Sequence, residues 1–69
     1  MIRLYARRHE EGADTVFVYT ILAPGDEPFI TRDETHAVAH LDALGVADPA
    51  PLVEQVRQWR EIEIAPKKE

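Results

Sequence analysis

IRLYARRHEEGADTVFVYTIL, residues 2–22, is the stretch whose reading decides the fold. In its first third Ile2, Leu4 and Ala6 alternate with Arg3, Tyr5 and Arg7, the period of two that a half-buried strand requires. TVFVYTIL is denser in β-branched and aromatic residues, with Val16, Val18 and Thr20 on one face and Phe17, Tyr19 and Ile21 on the other. Such a run suits a strand covered on both sides. Between the two, HEEGAD supplies Gly12 and Asp14 for a turn, which makes His9 a turn residue and the pair an antiparallel hairpin.

Working outward, APGDEP after Leu22 ends the ladder, because proline has no N–H to donate and Pro-Gly favours a turn. Phe29 and Ile30 are expected to return to the core. Thr31 and Glu34 then have the S/T-x-x-E spacing of a capping box, opening a first helix that Gly45 stops. Asp48 before Pro49 is an N-cap followed by proline at the first helical position, and Pro51 also falls in the first turn of this second helix. Leu52, Val53, Val56 and Trp59 form its apolar stripe, which predicts a structural role for the tryptophan. REIEIA alternates Ile62 and Ile64 with Glu61 and Glu63, a last strand with one wet face. The predicted fold is α+β in the order β-β-α-α-β: a three-stranded, mostly antiparallel sheet with both helices packed on one face. It occupies residues 1–65 as one domain, and residues 66–69, PKKE, form a flexible tail.

Composition bounds what such a domain can do. A chain of 69 residues buries only about 60% of the surface that its unfolded form exposes, so the core is small. The hydrophobic fraction of 45% argues against disorder, and the absence of cysteine excludes disulfides and thiolate metal sites. Charges interrupt every apolar run at the N-terminus, so neither a signal-peptide core nor a membrane span is legible, and a cytoplasmic location is expected.

Catalytic equipment is sparse. Serine and cysteine are absent and there are three glycines, too few for a phosphate-binding loop. Glu10 with Glu11, and Asp26 with Glu27, lie in polar turns without an apolar pocket to raise a carboxyl pKa. The chain is therefore read as no enzyme, and no cofactor is expected. The nearest approach to a metal constellation is Asp33, His36 and His40, which lie within about 60° of one another on the first helix. The residues between the histidines are Ala37, Val38 and Ala39, without the acid of an HExxH site, and the stripe of Ala37, Val38, Leu41 and Leu44 leaves both histidines at the boundary or outside. A metal-binding or metal-stabilised domain is the alternative reading. The second sheet face, with Arg3, Tyr5, Arg7, Glu61 and Glu63 and with Phe17 and Tyr19 as candidates, invites comparison with RNA-binding sheets, but arginines opposite glutamates read more simply as cross-strand pairs.

Charge is distributed unevenly. Residues 1–9 hold Arg3, Arg7 and Arg8 and no acid, whereas residues 10–54 hold ten acids against the single base Arg32. Glu10, Glu11, Asp14, Asp26, Glu27, Asp33, Glu34, Asp42 and Asp48 are the candidate partner-binding residues. Brought to neighbouring surface, they would repel nucleic acid and attract basic protein. In length, acidity, lack of catalytic residues and compact strand–helix make-up, the chain resembles the small phage-encoded inhibitors known as anti-CRISPR proteins. The resemblance is one of type, without a shared motif. It implies a stoichiometric inhibitor that imitates DNA and occupies a basic nucleic-acid-binding surface, such as that of a CRISPR effector. The N-terminal arginines depart from a uniformly acidic decoy. A general interaction module or antitoxin-like partner, working through the sheet face with Tyr5, Phe17 and Tyr19, is a further alternative. Direct binding of nucleic acid or membrane is not expected, and the chain is expected to be a monomer or weak dimer.

Overall fold

The alternation in residues 2–22 does produce a hairpin, and a longer one than the turn signals suggest. In the computed structural model, which describes residues 1–65, β1 (Ile2–Glu11) and β2 (Asp14–Leu22) pair antiparallel up to Glu11 opposite Asp14. Only Gly12 and Ala13 remain to connect them, with positive φ (62°) at Gly12 alone, the pattern of a type II′ turn whose twist matches the strands. His9 is thus a strand residue opposite Val16, and Glu10 and Glu11 belong to the ladder rather than to a loop. The expected tail, 66–69, lies outside the described residues.

Four further elements follow: β3 (Phe29–Thr31), α1 (Glu34–Ala43), α2 (Pro49–Trp59) and β4 (Glu61–Ile64). The sheet has four antiparallel strands in the order β3-β2-β1-β4, one more than the sequence predicts. The additional strand is β3, whose three residues are too few to display an alternation; its pairing with Tyr19–Ile21 makes it a strand.

Residues opposite one another in an antiparallel ladder share a face, and the register therefore sorts the two sides. Leu4 pairs with Ile21 and Ile62, Ala6 with Tyr19, Ile2 with Ile64, and all but the half-buried Ile62 are buried. This face meets Ala37 and Leu41 of α1, Val53 and Val56 of α2, and Val46 between the helices. Both helices therefore cover one face, as predicted. Phe17 and Tyr19 also lie on the covered face, not beside Tyr5 on the open one. Ile30 pairs with Thr20 on the open side and is 64% exposed, so of the two residues expected to return to the core only Phe29 packs against it.

The helix ends differ from expectation in instructive ways. Thr31 is held in β3, so it cannot take the half-helical N-cap position; Asp33 does, its Oδ1 accepting the Thr35 N–H at 2.8 Å while Thr31 Oγ1 accepts the Asp33 N–H. At the other end, Gly45 (φ 90°) donates to the Asp42 carbonyl and buried Val46 donates to the Leu41 carbonyl, the paired bonds of a Schellman motif. Asp48 stands at the N-cap of α2 but is left-handed (φ 49°, ψ 62°) and makes no capping bond. Prolines at 49 and 51 have already removed two of the donors that a cap would satisfy. Trp59 is 66% exposed. Each i+3 step along a helix lags by about 60°, so the run Val53, Val56, Trp59 leaves the buried arc at its third member.

Candidate functional site

Among the described residues three surfaces gather charged side chains, and the fold decides which acids share one. The first is the hairpin tip. Beyond Tyr5 the β4 partner ends, and beyond Tyr19 the β3 partner ends, so residues 7–11 and 14–18 continue as a two-stranded ribbon that helps to give the molecule a long axis of 45 Å. Glu10, Glu11 and Asp14 are there. Two of them are committed to arginines: Arg8 Nη2 lies 3.3 Å from Glu10 Oε2, and Arg32 Nη2 lies 2.9 Å from Glu11 Oε2.

The second surface is the opposite end. Asp26 and Glu27 sit in the loop between β2 and β3, roughly 27 Å from the tip by the rise of the nine residues of β2. His40 stacks on Phe29 with ring centroids 4.0 Å apart and planes 5° from parallel. The last turn of α1, with Asp42, therefore lies over the start of β3 beside that loop. Asp48 joins it, because α2 runs from there towards the opposite strand level, where the Arg60 carbonyl accepts the Ala6 N–H at 2.9 Å. Asp26, Glu27, Asp42 and Asp48 are all exposed, and none has an ion-pair partner among the described residues.

Asp33 and Glu34 belong to neither group. Asp33 caps α1, and Glu34 Oε1 forms an ion pair with Arg57 Nη2 at 2.8 Å, tying α1 to α2. Exchanging charges this way costs little at the surface, but here it removes Glu34 from any decoy surface. The nine candidate residues thus divide among the tip, the first turn of α1 and the far end, rather than forming one patch. His36 Nδ1 stands 3.9 Å from Asp33 Oδ2, whereas the ring of His40 is turned flat against Phe29. Among the described residues no three metal-capable side chains converge.

The third surface was not anticipated. Where the pairing of β1 with β4 ends, an open notch flanked by Arg7, Arg8, Arg57 and Arg60 continues over the open sheet face at Tyr5, Val18, Thr20 and Ile30, about 990 Å³ in all. Arg7 and Arg60 have no ion-pair partner among the described residues. Arg60 is left-handed (φ 72°), closing α2 through its N–H on the Val56 carbonyl at 2.7 Å before β4 begins. The sequence alone does not place Arg57 and Arg60 beside Arg7 and Arg8, since the crossing of α2 back to β1 juxtaposes them. Among the described residues the cross-strand pairing expected on the open face is present once, with Arg3 Nη2 3.2 Å from Glu63 Oε2. Tyr19, nearly covered by the helices, has its phenol pKa raised by burial, with Arg57 opposing and Glu34 reinforcing the shift. No protein-family model, curated protein or solved structure matches this chain.

Proposed function

We propose that the protein is a non-enzymatic binding protein that occupies a basic, nucleic-acid-binding surface of a partner protein, its carboxylates standing where that surface otherwise takes phosphates. The acidic far end supports this reading: three separate segments deliver Asp26, Glu27, Asp42 and Asp48 to it, all exposed and all without a paired cation among the described residues. Unpaired carboxylates project a field that acts at a distance and fits a basic groove, whereas those already bonded to arginines project little. The decoy is accordingly narrower than the nine acids of the sequence. Glu10, Glu11 and Glu34 are neutralised locally, Asp33 is engaged in capping, and Asp14 stays apart at the tip. A CRISPR effector is the partner class that the resemblance in type suggests.

The experiment is displacement of labelled DNA from a panel of nucleic-acid-binding complexes, CRISPR effectors included, across a salt series. The wild type should displace DNA from its target and lose affinity as salt rises, because exposed charges are screened over about 10 Å at 0.1 M. Asp26→Lys, Glu27→Lys and Asp42→Lys combined with Asp48→Asn should not displace it; asparagine is chosen because it tolerates the left-handed backbone at 48. Displacement that ignores both salt and these four changes would refute the reading.

A further inference from the structure

The free edge of β1 reads Arg7-Arg8-His9-Glu10-Glu11, an order of charges that is complementary to itself when reversed. We propose that two copies of the chain pair antiparallel along this edge, about a twofold axis at His9, to form a homodimer with a continuous eight-stranded sheet.

Backbone direction permits the pairing. The Ala6 N–H points away from β2, to the Arg60 carbonyl. Alternation along a strand then turns the backbone groups of Arg8 and Glu10 to the same side, where β4 no longer reaches and nothing among the described residues pairs with the edge. With His9 opposite the partner's His9, Arg8 and the partner's Glu10 form a hydrogen-bonded pair, and Arg7 stands across from the partner's Glu11.

Charge selects this register over its neighbours. Slipping by two residues one way sets Arg8 against the partner's Arg8, and slipping the other way sets Glu10 against the partner's Glu10. Parallel pairing in register places every residue on its like. Like charges directly opposite destabilise a sheet and opposite charges stabilise it. Charged residues on a strand edge ordinarily prevent pairing; in this order they permit it with one partner in one register.

The surroundings limit the pairing to these five residues. In the proposed register the partner's Gly12 reaches the level of Ala6, whose N–H is already bonded to the Arg60 carbonyl, so the partner's turn has to bend aside from β4 at that point. The bonds of Arg8 to Glu10 and of Arg32 to Glu11 join side chains that are about half exposed or more, so they exchange for contacts across the axis at little cost. An edge of five residues is a small interface, at the weak end of specific association.

The test is sedimentation velocity on the full chain from about 10 µM to about 1 mM, the range of weak complexes with small interfaces. The wild type should dimerise in this range. Arg7→Glu with Arg8→Glu, and separately Glu10→Arg with Glu11→Arg, should each weaken association at least tenfold. An equimolar mixture of these two variants should form a heterodimer, and the chain carrying all four changes should regain the homodimer. Glu10→Pro, which removes an N–H from the outer edge and none from the β1–β2 ladder, should abolish dimerisation while circular dichroism stays that of the wild type. A wild type that remains monomeric at about 1 mM, variants that dimerise as the wild type does, or a mixture that fails to pair would each overturn the proposal.

Discussion

Truncating the largest side chain in the protein should cost less than truncating a leucine. Trp59 presents on the order of 250 Å² when fully exposed, and it is 66% exposed in the fold. About 85 Å² is therefore covered, a ceiling of about 2 kcal/mol at 25 cal/mol per Å². That ceiling falls further, because unfolded chains already bury part of their apolar surface and alanine is the better helix former at the last position of α2. The expected loss for Trp59→Ala is about 1 kcal/mol or less. Leu41 is 0% exposed, packed between α1 and the sheet, and its carbonyl also accepts the Val46 N–H that closes the helix. Leu41→Ala removes buried methyl groups and leaves a cavity, at about 3–4 kcal/mol. A domain of this size has roughly 3–10 kcal/mol in total, so that loss is a large share of it. Urea denaturation followed by far-ultraviolet circular dichroism measures both, since the signal does not depend on the tryptophan. A loss of 3 kcal/mol or more for Trp59→Ala (on the scale of full aromatic burial), or equal losses for the two variants, would refute the assignment of Trp59 to the surface.

Two other outcomes are expected. Burial raises the Tyr19 pKa, so the folded state keeps its phenol proton at pH values where the unfolded chain has begun to lose it. Stability should therefore fall as pH rises through about 10, the ordinary tyrosine value, and Tyr19→Phe should remove that part of the fall; parallel urea titrations from about pH 8 to about pH 11 read the difference. Gly45→Ala should cost about 1 kcal/mol by urea denaturation, purely from the left-handed backbone at φ 90°, since an added Cβ meets no atom within 4 Å.

Periodicity, turn residues and stop signals act between neighbours in the chain, and whatever depends only on neighbours was legible. The alternation of Ile2, Leu4 and Ala6 made a half-buried strand, Gly45 closed α1, and Glu61–Ile64 formed a strand with one wet face. The same local signals fixed the class as α+β with both helices over one side of the sheet. Tertiary structure decided what depends on a partner distant in sequence. Three residues became β3 because Tyr19–Ile21 lay ready to pair with them, and that pairing moved the cap of α1 from Thr31 to Asp33. Which face of β2 is covered turned on register, because a strand with apolar residues on both sides does not say which side meets the helices. Net charge was visible from composition. The division of the acids into arginine-bonded and unpaired sets was not, since Arg32 reaches Glu11 and Arg57 reaches Glu34 only after β3 and α2 have been folded back across the sheet. Electrostatic attraction falls with distance in space and is indifferent to distance along the chain, so the charge pattern of this protein became a surface only when the fold had set those distances.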